Sequence, residues 1–152
     1  ISISMDISNY NTLDKNKLYI ARQAYKNTFY YTTTRRKNNI LTAKTRTLGS
    51  YTLFMDTIAP TIKAVNFTDG KWISNNKTLK IKIEDSHSGI SSYRATLNGR
   101  FILMEYNYKK DVLTYDFNDD IVTDTQNNLR LIVTDNVGNS STFEAIFFRK
   151  KL

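Results

Sequence analysis

The chain has 152 residues, 40% of them hydrophobic with ten Tyr and eight Phe, which supports a packed core in one or two domains and excludes general disorder. No apolar run approaches the length of a membrane-spanning helix, and the absence of Cys excludes disulfides, thiolate metal sites and cysteine nucleophiles. A formal net charge of +8 suits acidic partners, but Lys80, Lys82, Arg94 and Arg130 sit at alternate polar positions and read first as solvated strand faces.

In chain order, "SISMDI", "KLYIARQAY", "TFYYTTT", "ILTAKTRT" and "SYTLFMD" read as five strands, with "RRKNN" at residues 35 to 39 as an exposed turn. They predict a small β-domain over 1–57. Because the chain opens mid-strand, with Ile1, Ile3 and Met5 alternating against Ser2 and Ser4, this domain is expected to be incomplete at its N-terminus. Pro60 is the only proline. It lacks an N–H and disfavours helix before it, so it suits the start of a strand just after a domain joint.

From residue 58 to 152 the spacing predicts an immunoglobulin- or fibronectin-like β-sandwich of seven strands, at 61–67, 78–84, 91–97, 100–106, 112–117, 127–134 and 141–148. "TLKIKIED" sets Leu79, Ile81 and Ile83 against Lys80, Lys82 and Glu84, and "NNLRLIVTD" sets Leu129, Leu131 and Val133 against Arg130. Period-2 alternation of this kind belongs to strands with one buried face. Asn98-Gly99 in "TLNGRF" predicts a type I′ hairpin, since both residues tolerate positive φ. Trp72, the one tryptophan, falls in the loop after the first of these strands. The fold class expected is therefore all-β, a sandwich preceded by a smaller β-domain.

Candidate chemistry is sparse. His87 lies between Ser86 and Ser88 and after Asp85, but adjacent residues of one turn rarely converge as a nucleophile, base and orienter. Asp85, Asp135, Asn136 and Asn139 fall in the two turns that an immunoglobulin-like topology brings to one end, where their oxygens would suit Ca²⁺. The same residues are explained by Asp and Asn bonding their own turns. Asp116, Asp119, Asp120 and Asp124 form a second oxygen-rich loop whose spacing misses the EF-hand pattern. Arg35, Arg36 and Lys37 form a basic patch near Tyr30 and Tyr31, which admits a polyanion or single-stranded nucleic acid as ligand. No phosphate loop, recognition helix or zinc-finger spacing supports nucleic acid.

Three motifs follow one another in order. "LGSYTLFMDTIAPTI" has the form Gly-x-Tyr-x-x-x-x-Asp-Thr-x-x-Pro-x-Ile, "DSHSGI" the form Asp-x-x-Ser-Gly-Ile, and "DNVGN" the form Asp-Asn-x-Gly-Asn. The series, between about Ile40 and Phe148, resembles the β-rich C-terminal region that follows the catalytic domain in exported Gram-negative zinc peptidases of the lysostaphin/LytM type. The resemblance implies a periplasmic, envelope or extracellular setting. It also implies partners among the protein's own catalytic domain, other envelope proteins or cell-wall glycan. Such peptidases hold zinc with two His and one Asp and place a further His by the water. With one histidine this chain cannot build that site. The expectation is a non-catalytic accessory region with no cofactor of its own, zinc belonging only to a domain outside it. An adhesin-like module for protein or carbohydrate is the alternative.

Overall fold

The computed structural model of this protein describes residues 1–118, 121–123 and 125–150. Ile1–Ile58 with the loops Ser86–Gly89 and Asn136–Asn139 form one compact unit, and the remainder forms a second. Apart from two 3-10 turns, Lys15–Lys17 and Tyr25–Asn27, both units are built from strands and loops. Among the described residues no helix is long and apolar enough to cross a membrane.

The first unit has six strands: β1 (Ser2–Asp6), β2 (Leu18–Gln23), β3 (Phe29–Tyr31), β4 (Thr34–Lys37), β5 (Ile40–Lys44) and β6 (Tyr51–Met55). They form two antiparallel sheets, ordered β1-β5-β4 and β3-β2-β6. Leu41 and Ala43 of β5 pair with Met5 and Ile3 of β1 and turn inward. Leu18 and Ile20 meet them from the other sheet, and Ile7 is enclosed with them. On its opposite face β2 carries Tyr19, which packs on Tyr31 at 5.4 Å and Phe54 at 6.2 Å between ring centroids. The run Leu18–Ala21 is thus buried on both faces, which is why it lacks alternation.

Here the structure corrects one expectation. "RRKNN" is no turn: Arg35, Arg36 and Lys37 belong to β4, in register with Thr42, Leu41 and Ile40. Only Asn38 and Asn39 turn the chain, Asn38 at φ 54°. β4 is an edge strand, and edge strands take long basic side chains readily.

The second unit has nine strands: β7 (Thr61–Ala64), β8 (Lys71–Trp72), β9 (Thr78–Glu84), β10 (Ile90–Leu97), β11 (Arg100–Ile102), β12 (Glu105–Asn107), β13 (Val112–Asp116), β14 (Thr125–Asp135) and β15 (Ser140–Arg149). They form sheets ordered β7-β9-β13-β12 and β11-β10-β14-β15-β8. Leaving β8 aside, this is the A-B-E-D and C′-C-F-G order of an immunoglobulin-like sandwich. Leu79, Ile81 and Ile83 meet Leu131, Val133 and Phe147 in one core.

Two differences raise the count from seven to nine. The segment 100–106 is two strands, β11 paired with β10 and β12 paired with β13, so the chain changes sheets between them. Ile102 and Met104 are both buried while Leu103 is 79% exposed. The parity of buried positions survives the corner, and the sequence therefore reads as one continuous strand. Trp72 lies in the short strand β8, parallel to β15, with its ring 5.3 Å from that of Phe148. The predicted hairpin is present: Leu97 pairs with Arg100 across Asn98 at φ 53° and Gly99 at φ 78°.

A polar residue, Asn127, shares the inward parity of Leu129, Leu131 and Val133 on β14. Asn127 of β14 is fully buried, and its side chain is held from both ends. Its Oδ1 accepts from the Thr123 N–H at 2.8 Å and from Asn98 Nδ2 at 2.9 Å, while its Nδ2 donates to the Thr123 carbonyl at 3.0 Å. Removing it leaves a buried cavity and takes away the acceptor of the Thr123 N–H and the Asn98 amide. Asn127→Ala is expected to cost about 2–3 kcal/mol in urea unfolding, against under about 0.5 kcal/mol for the exposed neighbour Asn128→Ser.

Candidate functional site

The oxygen-rich residues picked from the sequence divide between the two units. In the second, Asp85 follows β9 and Asp135 ends β14, with carboxylate oxygens within 4.8 Å of each other. In the first, Asn136 and Asn139 turn their amide nitrogens to the backbone: Asn136 Nδ2 donates to the carbonyls of Ser88 at 2.8 Å and Gly89 at 3.2 Å, and Asn139 Nδ2 to that of Asp56 at 2.9 Å. Ca²⁺ takes six to eight oxygens, whereas these amides act as braces of backbone. Of the second acidic loop, Asp119, Asp120 and Asp124 lie outside the described residues, and Asp116 ends β13.

Asp56 is the residue that the sequence reading missed. It is 1% exposed, and its carboxylate accepts from the Ile58 N–H at 3.0 Å and the Ser88 N–H at 2.9 Å. Burial pushes this carboxyl up, but the hydrogen bonds from Ser88 and Ile58, with the nearby His87, outweigh it and hold it below its ordinary 3.8. The Ser88 hydroxyl also favours the charged form, although it falls outside full hydrogen-bond geometry and is otherwise unpartnered among the described residues. Around this carboxylate Gly138 takes φ 83°, and the neighbouring Val137 carbonyl accepts from Lys17 Nζ at 3.2 Å. In the sequence Asp56 stands at the end of a strand, as the Asp of the Gly-x-Tyr-x-x-x-x-Asp-Thr-x-x-Pro motif, and nothing there marks it as buried. Ser86 Oγ and His87 Nδ1 lie 3.1 Å apart on an exposed loop.

The basic set is split by the strand it occupies. Arg35 and Lys37 project from the outer face of β4, whereas Arg36 takes the opposite parity and its guanidinium donates to the Lys15 carbonyl. Tyr30 and Tyr31 lie in β3 of the other sheet, Tyr31 against Tyr19 and Tyr30 under the Arg22 guanidinium at 5.6 Å. The three basic residues and two tyrosines therefore do not make one stacking platform.

The surface with the most varied chemistry is the outer face of the five-stranded sheet. Phe101, Thr96, Arg130 and Glu144 stand opposite one another on β11, β10, β14 and β15, so they form one row across the strands. Phe101 is 58% exposed, and Arg130 and Glu144 are paired at 3.4 Å with both side chains largely in water. Toward the other edge Trp72 is 54% exposed beside Phe148. A groove of about 640 Å³ is lined by Asp69, Thr96, Asn128, Arg130, Glu144 and Ile146 among others, from the strands inside the two edges. Asp69 is fixed there because its Oδ1 accepts from the Ile146 N–H at 2.7 Å. Aromatic rings at the margins and oriented polar groups between them can meet a ligand having apolar faces and many hydroxyls.

Residues 1–56 match a family model described as a Zu5-like domain. No curated protein matches the chain. Among solved structures the chain is similar to the X-ray structure of the endo-β-1,4-mannanase from Thermotoga petrophila, with 12% identity and a TM-score of 0.51 over 64% of this chain and 21% of that one. It spans about a fifth of the mannanase's length, and the likeness is one of fold. It is also similar to the fibronectin(III)-like modules of Clostridium thermocellum CbhA, with 12% identity and a TM-score of 0.45 over 98% of this chain and 85% of that one.

The Asp56 arrangement makes a pH prediction. Its carboxyl titrates lower folded than unfolded, so its contribution to stability is present above 3.8 and is lost as pH falls through the lower folded value. Amide hydrogen exchange should show the Ser88 and Ile58 N–H groups protected above that point and released below it. Asp56→Asn should weaken their protection at neutral pH and remove the acid step, with a stability loss of about 1–3 kcal/mol.

Proposed function

We propose that this chain is a non-catalytic recognition module that binds a polysaccharide across the outer face of the five-stranded sheet. The observation that carries the reading is the groove of about 640 Å³ lined from β10, β14 and β15, on a sheet whose two edge strands carry the exposed rings of Phe101 and Trp72. Its size falls in the range of small-molecule sites, and its polar groups sit on strands, so little ordering is lost when a ligand docks. A sugar ring presents C–H groups on its faces, which pack on an aromatic plane, and hydroxyls at its rim, which pair with Arg130, Glu144 and Asn128. The five strands span about 19 Å from β11 to β8 at ordinary strand spacing, room for several sugar units in a row.

A second reading is favoured by the ordered motif series: the accessory region of an exported zinc peptidase, acting on its catalytic domain or on envelope partners. Cell-wall glycan would then be the polymer, and the two readings describe one role. In both, the chain holds its ligand and transforms nothing, in an envelope or extracellular setting.

Affinity electrophoresis through gels carrying β-mannan, xylan, amorphous cellulose or solubilised cell-wall glycan tests the proposal. At least one polymer should retard the chain, and Trp72→Ala and Phe101→Ala should each weaken that binding about five- to tenfold, with circular dichroism unchanged. Retardation by none of them, or variants indistinguishable from the parent, would sink the reading. Release of new reducing ends would show an enzyme instead.

A further inference from the structure

A second surface, in the first unit, has a different chemistry. On the outer face of the β1-β5-β4 sheet, Ser4, Thr42 and Arg35 stand in one row, because Ser4 pairs with Thr42 and Thr42 with Arg35. Lys44 is two residues beyond Thr42 on β5, and so diagonal to Arg35 at about 7–8 Å. Lys37 is two residues beyond Arg35 on β4, about 7 Å along the strand. Three cations thus step across the face at similar intervals, interleaved with hydroxyls. Arg35 and Lys44 share a hollow of about 280 Å³ with Ser2, Thr33 and Thr42.

Among the described residues none of the three cations makes an ion pair; the two pairs formed are Lys82–Glu84 and Arg130–Glu144, both in the second unit. The acid on this face, Asp6, spends a carboxylate oxygen on the Ser8 N–H at 2.8 Å. That bond favours the charged form of Asp6, so the face carries three cations against one acid and is positive in excess. Ile40, 38% exposed, is its large apolar side chain, which gives a bilayer little to bury. No aromatic ring lies on it, so nucleic-acid bases would find nothing to stack on. The hydroxyls of Ser4, Thr33 and Thr42 both donate and accept, as sugar hydroxyls do.

We infer that the outer face of the β1-β5-β4 sheet is a binding site for the carboxylates of an acidic polysaccharide, held by Arg35, Lys37 and Lys44 with the Ser and Thr hydroxyls against the sugar rims. Arg35 is suited to bidentate pairing with a carboxylate, while Lys44 and Lys37 act as point charges. The inference takes its ligand class from the polysaccharide reading above but uses separate residues, so the two can fail separately.

The test compares polygalacturonate with its fully methyl-esterified form, which keep one backbone and differ in carboxylate charge, by calorimetric titration of the full chain. The acid form should bind at least about tenfold more tightly, and Arg35→Gln with Lys44→Gln should remove that margin while leaving binding to the ester unchanged. Arg35→Lys with Lys44→Arg, which keeps both charges, should retain most of the margin. Trp72→Ala should weaken binding of both forms alike. Equal affinity for the two forms, a margin that survives the Gln variant, failure to bind either form, or competition by oligo(dT) as effective as by polygalacturonate would each overturn the inference. The first two outcomes leave polysaccharide binding by the second unit standing.

Discussion

Leu79, Ile81 and Ile83 reach the core of the second unit only if Lys80, Lys82 and Glu84 point the other way. A strand obeys this constraint at every residue, because successive side chains leave opposite faces of the sheet. Burying one face of each sheet therefore fixes what the other face displays. The outer faces here are not leftovers of folding. They are arrays of side chains at known spacing on backbone already held by ladder hydrogen bonds, and they can meet an extended ligand without first being ordered.

The first unit solves a harder problem, since its core cluster is small: Ile7, Leu18, Ile20, Leu41 and Ala43, with Tyr19 and Ala21 buried on the other face of β2. Small cores leave little margin. Asp56 supplies order that apolar burial does not, by giving the Ile58 and Ser88 N–H groups an acceptor, while its carbonyl takes the Asn139 amide. Six of the fourteen residues that specify the motif series take part in this bracing. Asp56, Ser88, Gly89, Asn136, Gly138 and Asn139 are joined by hydrogen bonds or by the turn geometry that permits them. Within the folded chain these residues of the series brace loops.

Much of this was legible from the residues. Alternation located the long strands, and Asn98-Gly99 located a hairpin. What escaped did so for physical reasons. β8 has two residues, too few for any period, so Trp72 reads as loop. The turn between Ile102 and Met104 preserves inward parity while changing sheets. Arg35 to Lys37 look like a turn because charge clusters on turns and on edge strands alike. The groove draws its lining from β10, β14, β15 and the Asp69 loop, which meet only in the folded sheet. Asp56 looks like any strand-end carboxylate until its donors arrive from residues 58 and 88.

The net charge of +8 acquires meaning only once each cation is placed. Several are committed to the protein's own structure. Arg149 lies over the Phe117 ring at 3.9 Å and donates to the carbonyls of Ile73 and Asn76, and Arg36 and Lys17 brace backbone carbonyls in the first unit. Others are neutralised, as in the Lys82–Glu84 pair at 2.9 Å. A cation engaged in these ways adds to the total without adding much field for a partner, because its charge is offset or its donors are used. Arg35, Lys37 and Lys44 are different in kind: they share one face, meet one acid there, and hold none of the described carboxylates in an ion pair. What a charged ligand senses is set by cations that stand together, and Arg35, Lys37 and Lys44 share one sheet face.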